Sequence, residues 1–295
     1  MRLEQGLREL TKLRRSDDGF SGRPGGAPRV EATAWAVLAL RAGGESTGTL
    51  RPHLDWLAAR QAEDGRVPLD PAHPGVMWPT PLAMLAWDSG TAYTAPMRKA
   101  AGFLLSHTGR HFPKEPDSPL GHDTGLKGWP WVLDTHSWVV PTSLCMIALC
   151  RAGHGAHERV REAARMLADR RIPAEGWGYG NTTAFGSVLR PFPDTTGAAL
   201  CALAAAGDSE TARQALPYLE QEVERVRTPL SLGWALLGLA SWDRRPAQAE
   251  VWAEECLARQ EYLGPYETAS LAVLLFAALA GRGFRQESPG TQSHG

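Results

Sequence analysis

The chain has 295 residues, of which 43% are hydrophobic and 21% are charged. This is the composition of a globular protein with enough apolar side chains for a sizeable core. Its 31 Lys and Arg residues against 32 Asp and Glu give a formal net charge of -1, which excludes an overall positive field that would attract nucleic acid or anionic lipid.

Cysteine usage and the N-terminal segment bear on the cellular compartment. The N-terminal segment MRLEQGLRELTKLRR is charged and amphipathic, unlike a secretory signal peptide. The longest apolar run, 271–280, is shorter than the about 20 residues that cross a bilayer. We therefore expect a soluble, cytoplasmic protein. Buried, reduced thiols are expected because the four cysteines lie in apolar helical patterns without a Cys-x-x-Cys motif: Cys145, Cys150, Cys201 and Cys256.

A threonine followed seven positions later by a large apolar residue recurs along the chain. These segments are apolar almost all round, which is typical of helices enclosed by other helices. The copies are marked by Thr33, Thr80, Thr142, Thr196 and Thr268, and Leu232 takes the threonine's place in a sixth. Four copies soon reach a glycine suited to a helix C-cap: Gly43, Gly90, Gly153 and Gly207.

Amphipathic segments alternate with these apolar helices. They are Glu4–Arg15, Leu50–Gln61, Ala95–His107, His157–Arg171, Ser209–Arg225 and Pro246–Gln260. Hairpins of this kind cannot bury their apolar faces alone and must stack on neighbours. We predict an all-α fold, an (α/α)6 toroid of six outer amphipathic and six inner buried helices, over residues 1–281. The polar tail 282–295 is predicted to be disordered.

The turns between outer and inner helices carry a more specific pattern. In "WLAARQAEDGRV", Trp56 and Leu57 are followed by Gln61 and then by Gly65-x-Val67. This resembles the QW repeat of the squalene cyclase and protein prenyltransferase superfamily, with Val67 in place of the final Trp. "LTKLRRSDDGF" and "MLADRRIPAEGWGYG" are further copies, and "LARQEYLGPY" is a weak fourth. The resemblance implies a single α/α toroid with a central apolar cavity for an isoprenoid, and turn aromatics that pack as wedges between repeats.

The resemblance also suggests a catalytic acid. Class II terpenoid cyclases protonate their substrate with the middle Asp of an Asp-x-Asp-Asp-Thr motif at the start of an inner helix. Aligned on Thr196, Asp194 falls on that acid, but Phe192 and Thr195 replace its two partners. A solitary Asp at a helix start is first of all an N-cap candidate, because the helix dipole and the free backbone N–H groups favour its anion. Asp194 is therefore a candidate for either role.

The stretch 107–138 is the longest interruption of the repeat. Asp134 could orient the imidazole of His136 as a second acid–base pair, or both residues could cap the following helix. The stretch also holds His107, His111, His122, Asp117 and Asp123. Their spacing, without a fixed helical context, is a weak metal signal, and the Asp-x-Cys zinc pair of protein prenyltransferases is absent. We expect neither a metal nor another cofactor. Glu31 and Glu267 are interpreted as first-turn charges favoured by the helix dipole.

Aromatic residues gather at the starts of the inner helices and in the turns before them. If they project inward, they form a pocket that binds an isoprenoid and stabilises a carbocation. Packing between neighbouring repeats would explain them equally well. The candidate substrate-binding residues are Trp35, Trp78, Trp131, Trp138, Phe192, Trp234 and Tyr266.

Three functions are consistent with these features. The first is a terpenoid cyclase or prenyltransferase-like enzyme whose catalytic residues are Asp194, or Asp134 with His136. The second is a non-catalytic toroid that binds a lipid or a protein partner. The third is an oligosaccharide lyase or hydrolase, since α/α rings also serve those reactions. Peripheral membrane contact is compatible with the first two, and nucleic acid is not an expected partner.

Overall fold

The structure is a computed structural model that describes residues 2–88, 91–114, 120–173 and 175–285. Within these residues, six inner helices alternate with outer ones. The inner helices are α2 (Val30–Ala42), α4 (Pro79–Trp87), α6 (Val139–Leu149), α8 (Pro193–Ala206), α11 (Pro229–Ala240) and α14 (Thr268–Leu279). The outer helices are α1 (Arg2–Lys12), α3 (Thr47–Ala58), α5 (Thr94–Ser106), α7 (Glu158–Asp169), α9 (Ser209–Arg213), α10 (Leu216–Glu222) and α12 (Ala249–Ala258), followed by the short α13 (Gln260–Leu263).

The inner helices close into a ring. Each packs against the next in the order α2, α4, α6, α8, α11 and α14, and α14 returns to pack against α2. Burial of nearly every residue of these helices explains why their sequences are apolar all round. The all-α class and the predicted toroid are confirmed.

The repeated threonine joins each inner helix to the turn before it. The Oγ1 atoms of Thr33, Thr80, Thr142 and Thr196 accept the backbone N–H of Phe20, Val67, Trp129 and Trp177, at 2.8 to 3.0 Å. A buried backbone N–H is costly without a partner, so a hydroxyl on the outward face of each helix satisfies it. Thr268 instead donates to the carbonyl of Ser21, which ties the last inner helix to the first turn and closes the ring.

The turn aromatics are wedges, as the resemblance implied. Trp129 and Trp177 are fully buried, and each donates its indole N–H to a carbonyl near the C-terminus of the preceding outer helix, that of Leu104 at 2.9 Å and that of Leu167 at 2.7 Å. Those carbonyls lie in the last turn, where no further helical N–H is available. Gln61 links neighbouring repeats by donating to the carbonyl of Pro96 at the start of α5, at 2.9 Å.

Two predicted elements differ from the structure. The helix predicted over Ser209–Arg225 is broken into α9 and α10, since Pro217 has no N–H to continue the helical ladder. The tail predicted to be disordered from Arg282 begins with packed residues, because Phe284 is only 7% exposed and lies against the core. Gly90, one of the predicted C-caps, and residues 286–295 lie outside the described residues.

A short antiparallel hairpin pairs Thr183–Ala184 with Ser187–Val188.

Glycine brings two inner helices into backbone contact. A Cβ atom on Gly197 of α8 would lie 2.1 Å from the carbonyl oxygen of Trp234 in α11. Only glycine permits this approach. The contact draws the N-terminal half of α11, with the Trp234 side chain, against the helix that carries Asp194.

Candidate functional site

A cavity of about 230 Å³ lies inside the ring at the N-terminal ends of the inner helices. Its lining is mostly aromatic and aliphatic, with two carboxyl groups. The lining residues are Glu31, Trp35, Trp78, Leu82, Trp131, Val140, Leu144, Tyr179, Asp194, Leu230 and Trp234.

The repeated threonine sets which residues face this cavity. Two residues along an α-helix correspond to a rotation of about 200°, so the positions two before and two after each outward-facing threonine point inward. In α2 these positions are Glu31 and Trp35, on either side of Thr33. The equivalent positions in α6 are Val140 and Leu144, and those in α11 are Leu230 and Trp234 on either side of Leu232. One register therefore supplies most of the lining.

Residues just before the inner helices line the cavity where they keep this register, as Trp78 does two residues before Thr80. Trp78 precedes α4 with helical dihedral angles (φ -66°, ψ -16°), so it continues the face of Leu82 and lines the cavity. Trp138 and Phe192 precede α6 and α8 with extended dihedral angles, and neither is among the described residues that line the cavity. Trp138 packs on the ring of His136 and Phe192 on that of Tyr179, with ring centroids 5.4 Å and 5.3 Å apart.

Tyr266 also points away from the cavity. Its hydroxyl donates to the carbonyl of Cys256 in the outer helix α12 at 2.8 Å. Trp131 does line the cavity, where its ring lies edge-on to that of Trp78 with centroids 6.2 Å apart. Four of the seven predicted aromatic residues therefore face the cavity: Trp35, Trp78, Trp131 and Trp234.

Glu31 is a half-buried carboxyl group on the second residue of α2. Its pKa is raised to about 7, mainly by burial, with Arg29 opposing the shift and the nearby Glu267 adding to it. Glu31 therefore holds a proton to a much higher pH than an exposed glutamate does. A neutral carboxyl group inside an aromatic cavity is a proton donor in position for use.

Asp194 is buried on the second residue of α8, and its Oδ2 accepts a hydrogen bond from the Tyr179 hydroxyl at 3.0 Å. Burial, together with the charge of Asp194, raises the pKa of Tyr179 to about 12. Tyr179 therefore keeps its proton at any physiological pH and remains a hydrogen-bond donor to Asp194. The N-cap position of α8 is occupied by Phe192, and no side chain caps this helix. The prediction that Asp194 is an N-cap is therefore wrong.

The two carboxyl groups face each other across the cavity. In the closed ring, α2 and α8 stand three positions apart, which places them on opposite walls. Glu31 and Asp194 occupy the same register on these two helices and line the same cavity. Sequence reasoning missed Glu31, although its place two residues before Thr33 matches that of Asp194 before Thr196.

The other predicted acid–base pair lies elsewhere. Asp134 and His136 are both exposed, and among the described residues no hydrogen bond joins them and neither lines the cavity. Asp134 has a left-handed backbone conformation with φ at 63°. Asp117 lies outside the described residues. Asp134 and His136 thus remain a prediction without support from the geometry of the cavity.

The histidines of the same stretch anchor the loop. The ring of His107 lies 2.8 Å from the carbonyl of Phe103, and that of His111 lies 3.1 Å from the hydroxyl of Ser137. Burial lowers the pKa of His122 to about 4, so this ring is neutral. In the part of the chain that the structure describes, no three His, Cys, Asp or Glu side chains are grouped so that they could hold a metal ion.

The class of the molecule is defined by its fold, a closed α/α toroid. No family model and no curated protein matches the sequence. Solved structures do match it. The type II terpene cyclase MstE from Scytonema, in complex with geranylgeranyl dihydroxybenzoate, superposes with a TM-score of 0.64 and 12% identity over 96% of this chain and 98% of that one.

Two further structures show the range of proteins that share this fold. ent-Copalyl diphosphate synthase from Streptomyces platensis gives a TM-score of 0.55 and 15% identity over 86% of this chain, which spans only 50% of that protein. The second is an inactive variant of the α-1,6-mannanase GH76A of Salegentibacter sp. HEL1_6, in complex with α-1,6-mannotriose. It superposes with a TM-score of 0.64 and 13% identity over 95% of this chain and 98% of that one.

These similarities establish the fold. The reaction has to be inferred from the residues of the site. The chain has the toroid that terpene cyclases share with glycosidases of the mannanase kind, and the predicted resemblance to terpenoid cyclases is confirmed at the level of the fold. No helix in the described part of the chain has the length and apolar character needed to cross a membrane.

Proposed function

We propose that this toroid binds the prenyl end of an isoprenoid in its central cavity and cyclises or isomerises it by acid–base chemistry. The observation that carries the proposal is the pair of carboxyl groups, Glu31 and Asp194, on opposite walls of an aromatic cavity. In this mechanism Glu31 is the proton donor and Asp194, held by Tyr179, is the proton acceptor.

The lining favours an isoprenoid over a polar substrate. Apart from the two carboxyl groups and the Tyr179 hydroxyl, the cavity presents indole rings and aliphatic side chains, which gain free energy when they bury apolar ligand surface. The rings of Trp35 and Trp234 meet edge to face, with centroids 5.6 Å apart. An indole face that is turned towards the cavity would stabilise a carbocation formed beside it.

The proposed reaction balances without a co-reactant. The Glu31 carboxyl group transfers its proton to an alkene carbon or an epoxide oxygen, and the resulting cation is attacked by a neighbouring double bond of the same chain. The Asp194 carboxylate then removes a proton from the cyclised or rearranged cation, which restores a double bond. Substrate and product are isomers. Glu31 regains a proton and Asp194 loses one through water at the mouth of the cavity.

The acid strength of Glu31 suits this role. A proton donor must be protonated at rest and still acidic enough to react, and both conditions are best met when its pKa lies near the working pH. The cyclase motif meets the first condition with neighbouring carboxylates, two of which are missing around Asp194. In this chain burial of Glu31 achieves the same result at the opposite wall.

The size of the cavity limits the substrate. A water molecule takes up about 30 Å³ in the liquid, and a methylene group is of similar size. A cavity of about 230 Å³ is therefore filled by a short prenyl chain or by the reacting end of a longer one. Small-molecule pockets in proteins commonly measure about 300–1,000 Å³, so this one is at the small end.

The proposal is tested with purified protein in D2O, incubated with geranyl, farnesyl and geranylgeranyl diphosphates, squalene and oxidosqualene. Where a carbon takes the proton, we expect an isomeric product that carries one deuterium at that carbon, found by mass spectrometry. For oxidosqualene, whose epoxide oxygen takes the proton, we expect the unlabelled cyclised isomer. Glu31→Gln and Asp194→Asn should each lower turnover by about 100-fold or more. Glu158→Gln is the matched control, because Glu158 is a first-turn acid on the outer helix α7, exposed and remote from the cavity.

Full turnover in both cavity variants would overturn the catalytic proposal. Tight binding of a prenyl compound without product would support the non-catalytic toroid instead. A protein partner captured without a bound lipid would argue against the isoprenoid cavity altogether.

A glycoside hydrolase is the second candidate, favoured by the same pair of carboxyl groups, since such enzymes act with two carboxylates that flank the scissile bond. The inactive mannanase variant has two consecutive aspartates replaced by asparagine. Here Asp17 and Asp18 are consecutive, but Asp17 accepts the indole N–H of Trp56 and Asp18 pairs with Arg14, both outside the cavity. Release of sugar from α-1,6-mannotriose in the same assays would favour this candidate.

A further inference from the structure

The C-terminal segment of the toroid enters the ring at the C-terminal ends of the inner helices. The mouth of the cavity that holds Glu31 and Asp194 is at the other end, where the inner helices begin. Residues 280–285, here called the C-terminal strap, follow α14 and turn back over the ring. Arg151 donates to the carbonyl of Phe284 at 2.5 Å, and Arg285 pairs with Asp243 at 2.5 Å. These contacts hold Phe284 inside the ring, where it is 7% exposed.

Phe284 joins Trp35, Trp234 and Phe276 in an aromatic cluster on the α11, α14 and α2 side of the ring, here called the aromatic septum. The ring centroid of Phe284 lies 5.1 Å from that of Phe276, 6.1 Å from that of Trp234 and 6.3 Å from that of Trp35. The other three members belong to α14, α11 and α2. Phe284 alone among the four comes from a segment that is not part of the ring.

The septum separates two cavities. Trp35 and Trp234 line the cavity that holds Glu31 and Asp194. Phe276 and Phe284 line a second cavity of about 220 Å³ at the C-terminal ends of the inner helices, together with Leu38, Leu85 and Ala280. The two volumes are nearly equal, so removal of the septum would about double the space open to an apolar chain.

We propose that Phe284 determines the length of the chain that this protein accepts, because its side chain forms the removable part of the floor between the two cavities. This inference rests on the proposed isoprenoid cavity. A prenyl chain that enters at the mouth would stop at Trp35 and Trp234, which Phe284 supports from below. With a smaller side chain at 284, the two indole rings lose this support, and a longer chain passes between them into the apolar part of the lower cavity.

Several polar groups of the lower cavity are already paired. Arg151 forms an ion pair with Asp88, and Arg41 donates to the carbonyl of Ala86 at the end of α4. Because these charges have partners, an apolar chain can pass beside Leu38 and Leu85 without leaving a newly unpaired charge in the wall. The lower cavity is therefore suited to receive the far end of a prenyl chain.

The first experiment measures binding of geraniol, farnesol and geranylgeraniol through quenching of tryptophan fluorescence. The wild-type protein should prefer the shorter alcohols. Phe284→Ala should improve the affinity for geranylgeraniol relative to geraniol by about tenfold, since each added methylene that becomes buried contributes to binding. Phe284→Leu should show a smaller change in the same direction.

The control for lost packing is Phe103→Ala. Phe103 is 3% exposed in the outer helix α5, so its replacement removes an equally large buried ring away from the septum. It should leave the ratio of affinities unchanged. An unchanged ratio in Phe284→Ala and Phe284→Leu, with both variants folded, would overturn the inference.

A second experiment does not depend on the identity of the ligand. Xenon fills apolar cavities in protein crystals. In crystals under xenon pressure, the wild-type protein should bind xenon above the septum, whereas Phe284→Ala or Phe284→Leu should also bind it at the position of the lost ring. If xenon shows this change but no prenyl alcohol binds to any form, the proposed function fails and the septum stands. If xenon does not enter the vacated site, the septum itself is refuted.

Discussion

Glu31 and Asp194 occupy the same helical register on α2 and α8, and these helices stand on opposite walls of the ring. Their surroundings differ. Glu31 has its pKa raised to about 7 by burial, while Asp194 accepts a hydrogen bond from Tyr179. Two carboxyl groups in unlike environments are a common basis for dividing acid and base roles.

The raised pKa of Glu31 predicts how stability depends on pH. The folded state holds this proton up to about pH 7, whereas the unfolded chain releases it near the ordinary value of 4.5. The contribution of Glu31 to stability is therefore fully present below pH 4.5 and is lost as the pH rises towards 7. Glu31→Gln, which cannot ionise, should gain on the order of 2 to 3 kcal/mol relative to the wild type between pH 4.5 and pH 8.

Urea denaturation of both proteins at pH 4.5, 6 and 8 measures this difference. Parallel pH profiles for Glu31→Gln and the wild type would mean that Glu31 titrates normally and would remove it as a proton donor at neutral pH.

Removal of the Tyr179 hydroxyl should impair chemistry more than binding. Tyr179→Phe keeps the ring that lines the cavity and stacks on Phe192, but leaves Asp194 without its donor. We expect kcat to fall by about 10- to 100-fold with KM little changed, as for a lost positioning contact to an acid–base group. Steady-state kinetics on whichever prenyl compound the protein converts decides this. A rise in KM with kcat unchanged would assign Tyr179 to binding alone.

The hydrogen bond accepted by the repeated threonine should account for most of this residue's contribution to stability. Thr142→Val keeps the shape of the side chain but leaves the buried N–H of Trp129 without its acceptor at 2.9 Å. We expect a loss of about 1–3 kcal/mol in the free energy of unfolding. Thr142→Ser keeps the hydroxyl and should lose less. No loss in Thr142→Val, together with a loss in Thr142→Ser, would show that the methyl group, and not the hydrogen bond, stabilises the turn.

Trp129 and Trp131 stand two residues apart and should respond in opposite ways. Trp129 is fully buried and donates to the carbonyl of Leu104, so Trp129→Phe should lower the free energy of unfolding by about 1–3 kcal/mol and leave ligand affinity unchanged. Trp131 is half-buried at the cavity, so Trp131→Phe should weaken prenyl alcohol binding by about three- to tenfold and alter stability little. Thermal unfolding and fluorescence titration of each variant separate the two roles. If Trp129→Phe weakened binding and Trp131→Phe lowered stability, the two assignments would be reversed.

The sequence alone was sufficient for the architecture because the repeat constrains it. Apolar helices that alternate with amphipathic ones must stack, and six such pairs can close into a ring. The same repeat also marks which residues of each inner helix face the cavity. The outward threonine places Glu31 in the inward register, yet the helix dipole was a sufficient explanation of an acidic residue in a first turn, and Glu31 was not recognised as part of the site.

The aromatic residues show where helical periodicity stops being informative. Trp35 and Trp234 lie within helices, so their spacing from the repeat marker predicts their direction. Trp138 and Phe192 come immediately before a helix, and the extended backbone there turns their side chains away from the cavity. Trp78 also precedes its helix but lies only two residues before Thr80, in the inward register, and it does line the cavity. Trp138 and Phe192 lie four residues before Thr142 and Thr196, outside that register.

What the sequence determined by itself was local and periodic: which segments are helices, which face of each is buried, and that the units must stack. Tertiary structure decided everything that depends on the closed ring, because closure sets distances between residues far apart in the chain. It placed Glu31 and Asp194 on facing walls, excluded water from Glu31 enough to raise its pKa to about 7, and inserted Phe284 from a polar segment into the apolar centre. None of these contacts has a counterpart in the order of residues, since burial depends on which helices become neighbours.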